Sequence, residues 1–581
     1  MKPASDRRVA LRLALVVAAA LVVRGLFFWL RGEYLDWDEA MYLLLARNFL
    51  EAGAPYLNGL PHTALGPFVP LASAAVSSLS GLELLVAQRL VSALAGALLV
   101  VPVWYLLRRG AGPRVAWTAV PLLIAWPALI DVAPKLGPMW FHMYAGTEPT
   151  YLFFLFAALA CGEWALERRG WSAHLLAWVA GSLMACAYLT RAEAVVFAGL
   201  YVVVRGIRWL RARGDLRGVT VPALAVLAFL VTAGPHLHYL RQAGGEWMLS
   251  GQPATMRPMA ETLQAAFRDD AYLSNFVRAW YRLDAGHRYF QNPYWGTPDG
   301  VSRQLQKSQF ARLAAAEAPV ERGWWGRVAN RLLNYAYAIW TLCGPLFLPF
   351  VVVGIVAARK RELPAFVPAG FATGLLISLY LAALPRFFLY LVPALALWAA
   401  FGILAVADRL PQYKELTARC LVGALVVASL VIVGRNSMGE LARDLALVAD
   451  EDRWAGEALA EALPDAERVI HWHPRFAYWA GWAWRTMPYA TLDDIAHYAV
   501  RQDTRYVLLA RGGFSPLSAQ VSHILVILDD ELVDALRAVP VAADGRHAHP
   551  PMLLSEVGPV AGYATGVLGL DRRGEVNGPG D

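Results

Sequence analysis

Residues 66–82, GPFVPLASAAVSSLSGL, decide how this chain is read. They are apolar but short and rich in serine. Counted as a membrane span, they invert every loop that follows; placed as a helix lying at the outer surface, they leave a consistent pattern. Outward from this stretch, about eleven apolar runs read as spanning helices: 10–30, 86–107, 115–131, 149–165, 173–189, 193–206, 219–239, 333–357, 364–384, 387–407 and 419–434. A bilayer asks for about 20 residues per span, with short or tilted members allowed. From a cytoplasmic N-terminus, the inner loops carry Arg108, Arg109 and Arg114, then Arg168 and Arg169, then Arg205, Arg208, Arg211, Arg213 and Arg217. Arg359, Lys360 and Arg361 follow, and finally Arg409, Lys414 and Arg419. Every second loop is basic, as the positive-inside rule requires.

Composition agrees with a membrane-embedded chain. Of 581 residues, 58% are hydrophobic and 17% charged, against about 25% charged in soluble domains. Disordered and collagen-like classes are excluded. The formal net charge of +7 reports loop orientation in such a protein, so no nucleic-acid partner is expected. The N-terminal Lys2, Arg7, Arg8 and Arg12 ahead of an apolar run, with Ala18-Ala19-Ala20 behind them, mimic a signal peptide. The run continues through Gly25 to Leu30, too long for a signal core, and reads as the first span. Cys161, Cys186, Cys343 and Cys420 all lie in or beside apolar runs, so neither a disulfide framework nor a cysteine metal site is implied.

This reading divides the chain into a transmembrane core, 1–434, with outer loops 31–85, 132–148 and 240–332, and a soluble extracytoplasmic region, 435–581. In the latter, RVIHWHP, TRYVLLA and HILVILDD read as strands, and TLDDIAHYAVRQ and DDELVDALRAV as helices. The fold class is therefore all-α and polytopic, with a small C-terminal α/β domain. His471 with His473, and His547 with His549, lack a third ligand at a recognisable metal spacing. No Walker loop or dinucleotide fingerprint is present, which disfavours a nucleotide-linked donor on a Rossmann domain.

The most informative local feature is Tyr34-Leu35-Asp36-Trp37-Asp38-Glu39-Ala40-Met41-Tyr42, directly after the first span. Three carboxylates at a membrane surface need compensation. One reading is a helix cap, with Asp36 as N-cap and Glu39 three residues on, opening an amphipathic helix through Leu50. The other makes Asp38 a general base at a reaction centre. The two are compatible, because a capped helix start holds a carboxylate rigidly.

The run Asp38-Glu39-Ala40-Met41-Tyr42, followed by Ala46-Arg47-Asn48-Phe49-Leu50, resembles the first outer loop of C-type (GT-C) membrane glycosyltransferases. Within that superfamily it looks most like the protein O-mannosyltransferase and lipid A aminoarabinose transferase branch. Further likenesses are Gln88 to Leu94, Thr147-Glu148-Pro149, Leu189 to Ala194, and Pro385 to Pro393. The resemblance covers about 10 to 434, and the C-terminal region is similar to the outer domain of many bacterial members.

The resemblance implies inverting transfer of a monosaccharide from a polyprenyl-phosphate donor to a hydroxyl of an acceptor lipid, glycan or protein. The reaction would run on the outer face of a bacterial inner membrane, among membrane lipids. It makes Asp38 the catalytic acidic residue with Glu39 beside it, and places Asp36, Tyr42 and Glu148 on the substrate side. Arg191 and Arg386 are expected to meet the donor phosphate, since arginine binds phosphate oxygens bidentately and stays charged. The bland alternative for Arg191 is an ion pair with Glu193. Where related enzymes carry Lys-Pro-Pro or His-Pro-Pro, this chain has Leu60-Pro61-His62-Thr63, leaving His62 as the substitute. A divalent cation between carboxylate and phosphate would serve the same electrostatic role; no other cofactor is implied. A polyprenyl-glycan polymerase or ligase is the nearest alternative, although its acidic first-loop motif would be unexpected. A lipid-linked-sugar transporter would be expected to show inverted repeats and charges at the bilayer midplane.

Overall fold

Apolar segments that cannot offer their backbone to water close it on itself, and helices dominate this chain for that reason. The computed structural model describes residues 3–31, 35, 37–53, 56–57, 60–62, 65–130, 147–211, 217–244, 247–250, 324–380, 385–437, 453, 456–457, 460–461, 464, 467–471, 474–486, 504, 506–511, 522–527, 567–570 and 576–577. In chain order the helices begin α1 (Pro3–Arg31), α2 (Trp37–Ala52), α3 (Phe68–Ser80), α4 (Leu84–Leu98), α5 (Val100–Ala111), α6 (Pro113–Ile124) and α7 (Pro127–Ile130). There follow α8 (Glu148–Glu167), α9 (Trp171–Thr190), α10 (Glu193–Arg211), α11 (Arg217–Gly244), α12 (Trp324–Ala358), α13 (Phe366–Tyr380), α14 (Val392–Ala407) and α15 (Lys414–Ser437). A 3₁₀ segment, Pro385–Leu391, leads into α14.

The chain divides into two compact units. One holds Met1–Arg31, Gly66–Arg241 and Arg322–Gly439; the other holds Gly32–Leu65, Gln242–Glu321 and Glu440–Asp581. The described parts of all eleven apolar runs fall on helices of the first unit. Among the described residues, eight helices are long and apolar enough to cross a membrane. The other three runs are α6 and α13, which are shorter, and α10, whose 19 residues include Glu193, Arg205, Arg208 and Arg211. The stretch that decided the reading forms α3, whose 13 residues rise about 20 Å at 1.5 Å per residue, short of a roughly 30 Å hydrocarbon core.

The centre of the first unit is α14, buried along nearly its whole length. It crosses α12 at a glycine pair. A Cβ on Gly354 would lie 1.7 Å from the Trp398 carbonyl oxygen, and one on Gly402 would lie 2.0 Å from that of Phe350, so only glycine permits this approach. Helix α12 also breaks at Gly344-Pro345, where Gly344 leaves helical geometry (φ 61°, ψ 165°). The interruption removes helical donors from the carbonyls before it. Trp126 supplies one instead: its indole N–H donates to the Leu342 carbonyl at 2.7 Å, while its ring stacks on Phe347 at 4.3 Å.

In the second unit, Tyr56–Leu57 (β1) and Leu60–Pro61 (β2) pair as an antiparallel hairpin. Arg468–His471 (β3), Ala483–Thr486 (β4), Tyr506–Arg511 (β5), Ser522–Ile527 (β6), Val567–Leu570 (β7) and Val576–Asn577 (β8) form one mixed sheet in the order β4-β3-β5-β6-β7-β8. The β3 pairings are parallel and the rest antiparallel. The three strand-like runs of the sequence are β3, β5 and β6; the two helix-like runs lie outside the described residues. A short helix, α16 (Pro474–Trp479), follows β3 and packs on α2. Arg47 donates to the Trp482 carbonyl at 2.6 Å, and Arg475 donates to the Leu35 carbonyl at 3.4 Å. Helix α2 is not amphipathic as its sequence suggests: Glu39 through Ala46 are buried without interruption.

Candidate functional site

Three helix ends of the first unit bring charge together at one end of an apolar bundle. Helix α8 opens at Thr147-Glu148-Pro149, with proline in the first turn, where its missing N–H costs nothing. Helix α9 stops at Arg191, whose backbone is extended (φ −150°, ψ 126°), and α10 begins two residues later on Glu193. Arg191 thus turns back between two carboxylates. It donates to Glu148 Oε1 at 2.7 Å through one terminal nitrogen, and to Glu193 Oε1 at 2.9 Å and 3.3 Å through the other and through Nε. Thr147 Oγ1 donates to the second oxygen of Glu148 at 3.0 Å. The side chains of Glu148, Arg191 and Glu193 are only 3%, 13% and 13% exposed, so this is not a solvated surface pair.

The surroundings hold this arrangement in place. Gly66, at the start of the turn into α3, lies against the last turn of α9; a Cβ there would sit 2.2 Å from the Leu189 carbonyl oxygen and 2.5 Å from that of Thr190. The 3₁₀ segment contributes Phe387, whose ring lies 5.3 Å from the Arg191 guanidinium carbon and 5.6 Å from that of Arg386. Both distances are within cation–π range. Tyr151, one turn beyond Glu148, and Tyr390, one turn beyond Arg386, are 4% and 1% exposed. Both are in electrostatic reach of Glu193 and of each other. Their hydroxyls have no hydrogen-bond partner among the described residues, and buried phenols normally find one.

The structure therefore brings together Glu148, Arg191 and Arg386, three of the residues singled out in the sequence. It adds Tyr151 and Tyr390, which sequence reading missed although each lies one helical turn from a chosen charge. Arg191 does form the ion pair with Glu193, and Glu148 shares it.

The remaining candidates belong to the second unit. Asp38 is the second residue of α2; its side chain, like the whole of Asp36, lies outside the described residues. Glu39, Tyr42 and His62 are buried, at 2%, 5% and 3% exposure. The Leu65 N–H donates to His62 Nε2 at 3.0 Å. In that bond Nε2 acts as an acceptor. On the same helix, burial lowers the pKa of Arg47, opposed by Glu51 and Tyr478. Lys135, His142, His473, His547 and His549 lie outside the described residues. Among the described residues, no group of three or more His, Cys, Asp or Glu could hold a metal ion.

No family model matches the chain, and no curated protein matches it. Solved structures do. ArnT from Cupriavidus metallidurans, crystallised bound to undecaprenyl phosphate, superposes with a TM-score of 0.51 at 16% identity, covering 86% of this chain and 93% of ArnT. The Archaeoglobus fulgidus oligosaccharyltransferase, in a complex with Zn and sulfate, gives 0.53 at 14% identity, covering 86% of this chain and 67% of that one. At such identities the likeness is one of fold. Joined to eight helices able to cross a bilayer, it makes the chain a multi-pass membrane protein with the GT-C fold.

Proposed function

We propose that this protein transfers a monosaccharide from a polyprenyl-phosphate donor to an acceptor hydroxyl, with inversion at the anomeric carbon, on the outer face of a bacterial inner membrane. The observation that carries the reading is the Arg191 cluster: two arginines on one aromatic ring, the buried carboxylate of Glu148 and the largely covered one of Glu193, and two phenols without a hydrogen-bond partner among the described residues, at helix ends of the bundle. That is chemistry suited to a phosphate carried by a lipid. The GT-C fold supports it, and so does the undecaprenyl phosphate bound to ArnT.

In the proposed reaction the acceptor oxygen attacks the anomeric carbon, the bond from that carbon to the phosphate oxygen breaks, and polyprenyl phosphate leaves. Asp38 takes the acceptor proton, with Glu39, Asp36 and Tyr42 beside it on the first outer loop. Arg191 and Arg386 stabilise the charge that grows on the departing phosphate. Glu148 and Glu193 fix the Arg191 guanidinium, and the Tyr151 and Tyr390 hydroxyls supply neutral donors. A divalent cation beside the phosphate would add to the same stabilisation.

The test is transfer by purified protein in nanodiscs, with a panel of radiolabelled polyprenyl-phosphate monosaccharides and membrane extract as acceptor. Asp38→Asn, which keeps shape and removes basicity, is run alongside. Loss of transfer with donor retention intact is the expected result. Undiminished transfer by the variant overturns the role of Asp38, and no transfer from any donor by the wild type overturns the reaction.

A further inference from the structure

A second charged cluster lies at the other end of α8. From Glu148 to Glu163 the helix rises about 22 Å at 1.5 Å per residue. There the first unit has a cleft of about 290 Å³ between the ends of α5, α8 and α10 and the backbone of 362–366. Its charged lining is Arg109, Arg205, Arg208, Glu163 and Glu362, with Tyr201 beside them.

Glu163, only 7% exposed at its side chain, is fully engaged: Arg109 approaches at 3.2 Å, Arg205 Nε at 3.0 Å, and the Tyr201 hydroxyl donates to it. The cations are less completely matched. Arg205 turns Nε to Glu163, and its terminal nitrogens, on a side chain 31% exposed, make no bond among the described residues. Arg208 donates to the Leu363 carbonyl at 2.7 Å. Its carboxylate partner, Glu362, stands 3.4 Å away with its side chain 78% exposed, a pair that water weakens. Arg109 is also held by Glu167, so three guanidiniums face three carboxylates, two of them, Glu167 and Glu362, 48% and 78% exposed and open to water, and guanidinium N–H groups of Arg205 and Arg208 remain to be filled. Beside these arginines, on the same helix, Val202, Val203, Ile207 and Leu210 are 47%, 55%, 45% and 67% exposed, an apolar face of the kind acyl chains cover.

We infer that this cleft binds the phosphate of an anionic glycerophospholipid, whose acyl chains lie along the exposed face of α10. The apolar face next to the guanidiniums favours a lipid over free phosphate. Basic pockets between spanning helices are suited to such headgroups, at about 1 kcal/mol per basic residue near a charged surface. The site is separate from the Arg191 cluster and does not depend on the function proposed for it.

The experiment is native mass spectrometry of the full chain, delipidated in detergent and offered dioleoyl phosphatidylglycerol, dioleoyl phosphatidylcholine or inorganic phosphate. The wild type is expected to retain phosphatidylglycerol in preference to the zwitterionic lipid. Arg208→Gln should weaken that retention about fivefold, the weight of one basic residue. Glu362→Gln removes a competing carboxylate from the surface and should strengthen it; this variant decides the matter if Arg208→Gln does not fold. Equal retention of both lipids, no shift in Glu362→Gln, or displacement of the lipid by inorganic phosphate at equal concentration would overturn the inference.

Discussion

Arg191 sits between two carboxylates, and the arrangement predicts strong non-additivity. Glu148→Gln alone leaves Arg191 with Glu193, a neutral pair. The charge-assisted bond at 2.7 Å becomes an amide contact, while repulsion between two carboxylates on one guanidinium is relieved. The net cost should be about 1 kcal/mol, the scale of one hydrogen bond. Glu193→Gln should cost about the same. The double variant leaves a guanidinium only 13% exposed with neither carboxylate, and uncompensated charges in such surroundings cost roughly 3–5 kcal/mol. The double variant should therefore lose at least about 1 kcal/mol more than the two singles combined, a coupling typical of groups in one network. Unfolding of the four proteins by sodium dodecyl sulfate in mixed micelles, followed by circular dichroism, measures it. Additive losses, or a double variant no worse than a single, would show that Arg191 is charge-compensated elsewhere and would remove the cluster as an electrostatic unit.

Other perturbations separate packing from charge. Gly402→Leu should lower stability in the same unfolding assay by more than about 2 kcal/mol, since its Cβ alone meets backbone 2.0 Å away and overpacking costs about 1–3 kcal/mol even where side chains can yield. Glu163→Gln should cost roughly 1–3 kcal/mol in that assay, because it takes the carboxylate from Arg205 and leaves Arg109 with only the more exposed Glu167, while both guanidiniums keep some contact with water. Trp126→Phe keeps the stacking on Phe347 but leaves the Leu342 carbonyl without its donor; a loss of about 1–3 kcal/mol is expected, with faster hydrogen exchange of the amides around Gly344. Gly66→Val should lower sugar transfer more than stability, because the side chain pushes on the carbonyls just before Arg191.

The bundle was legible because one property, sustained apolarity, dictates one local structure. All eleven apolar runs are helical wherever they are described, and residues 66–82, kept out of the spans because counting them would invert the later loops, form the short helix α3. Position along a run was not legible. The run 333–357 reads as continuous, yet it breaks at Gly344, a geometry completed by Trp126 more than 200 residues away in sequence. Likewise α2 has an amphipathic pattern but is buried throughout Glu39–Ala46. The partners that bury a helix do not appear in its own periodicity. In the site, Glu148, Arg191 and Arg386 carried signals because charges at the ends of apolar runs are costly. Tyr151 and Tyr390 carried none, since a tyrosine in an apolar run looks like any large core residue. Glu163 was hidden for the opposite reason: a carboxylate inside a run is conspicuous, but its compensation by Arg109 and Arg205 exists only after three helices meet.

The bond from Arg47 to the Trp482 carbonyl joins residues 435 positions apart. A ribosome adding about 5–20 residues per second makes the second partner some 20–90 s after the first. For nearly all of that interval α2 is complete in sequence while the short helix it packs on does not yet exist. The helix that carries Asp38 is therefore made at the start of synthesis and anchored near its end, so a chain released before Trp482 lacks the contact that holds α2 at Arg47.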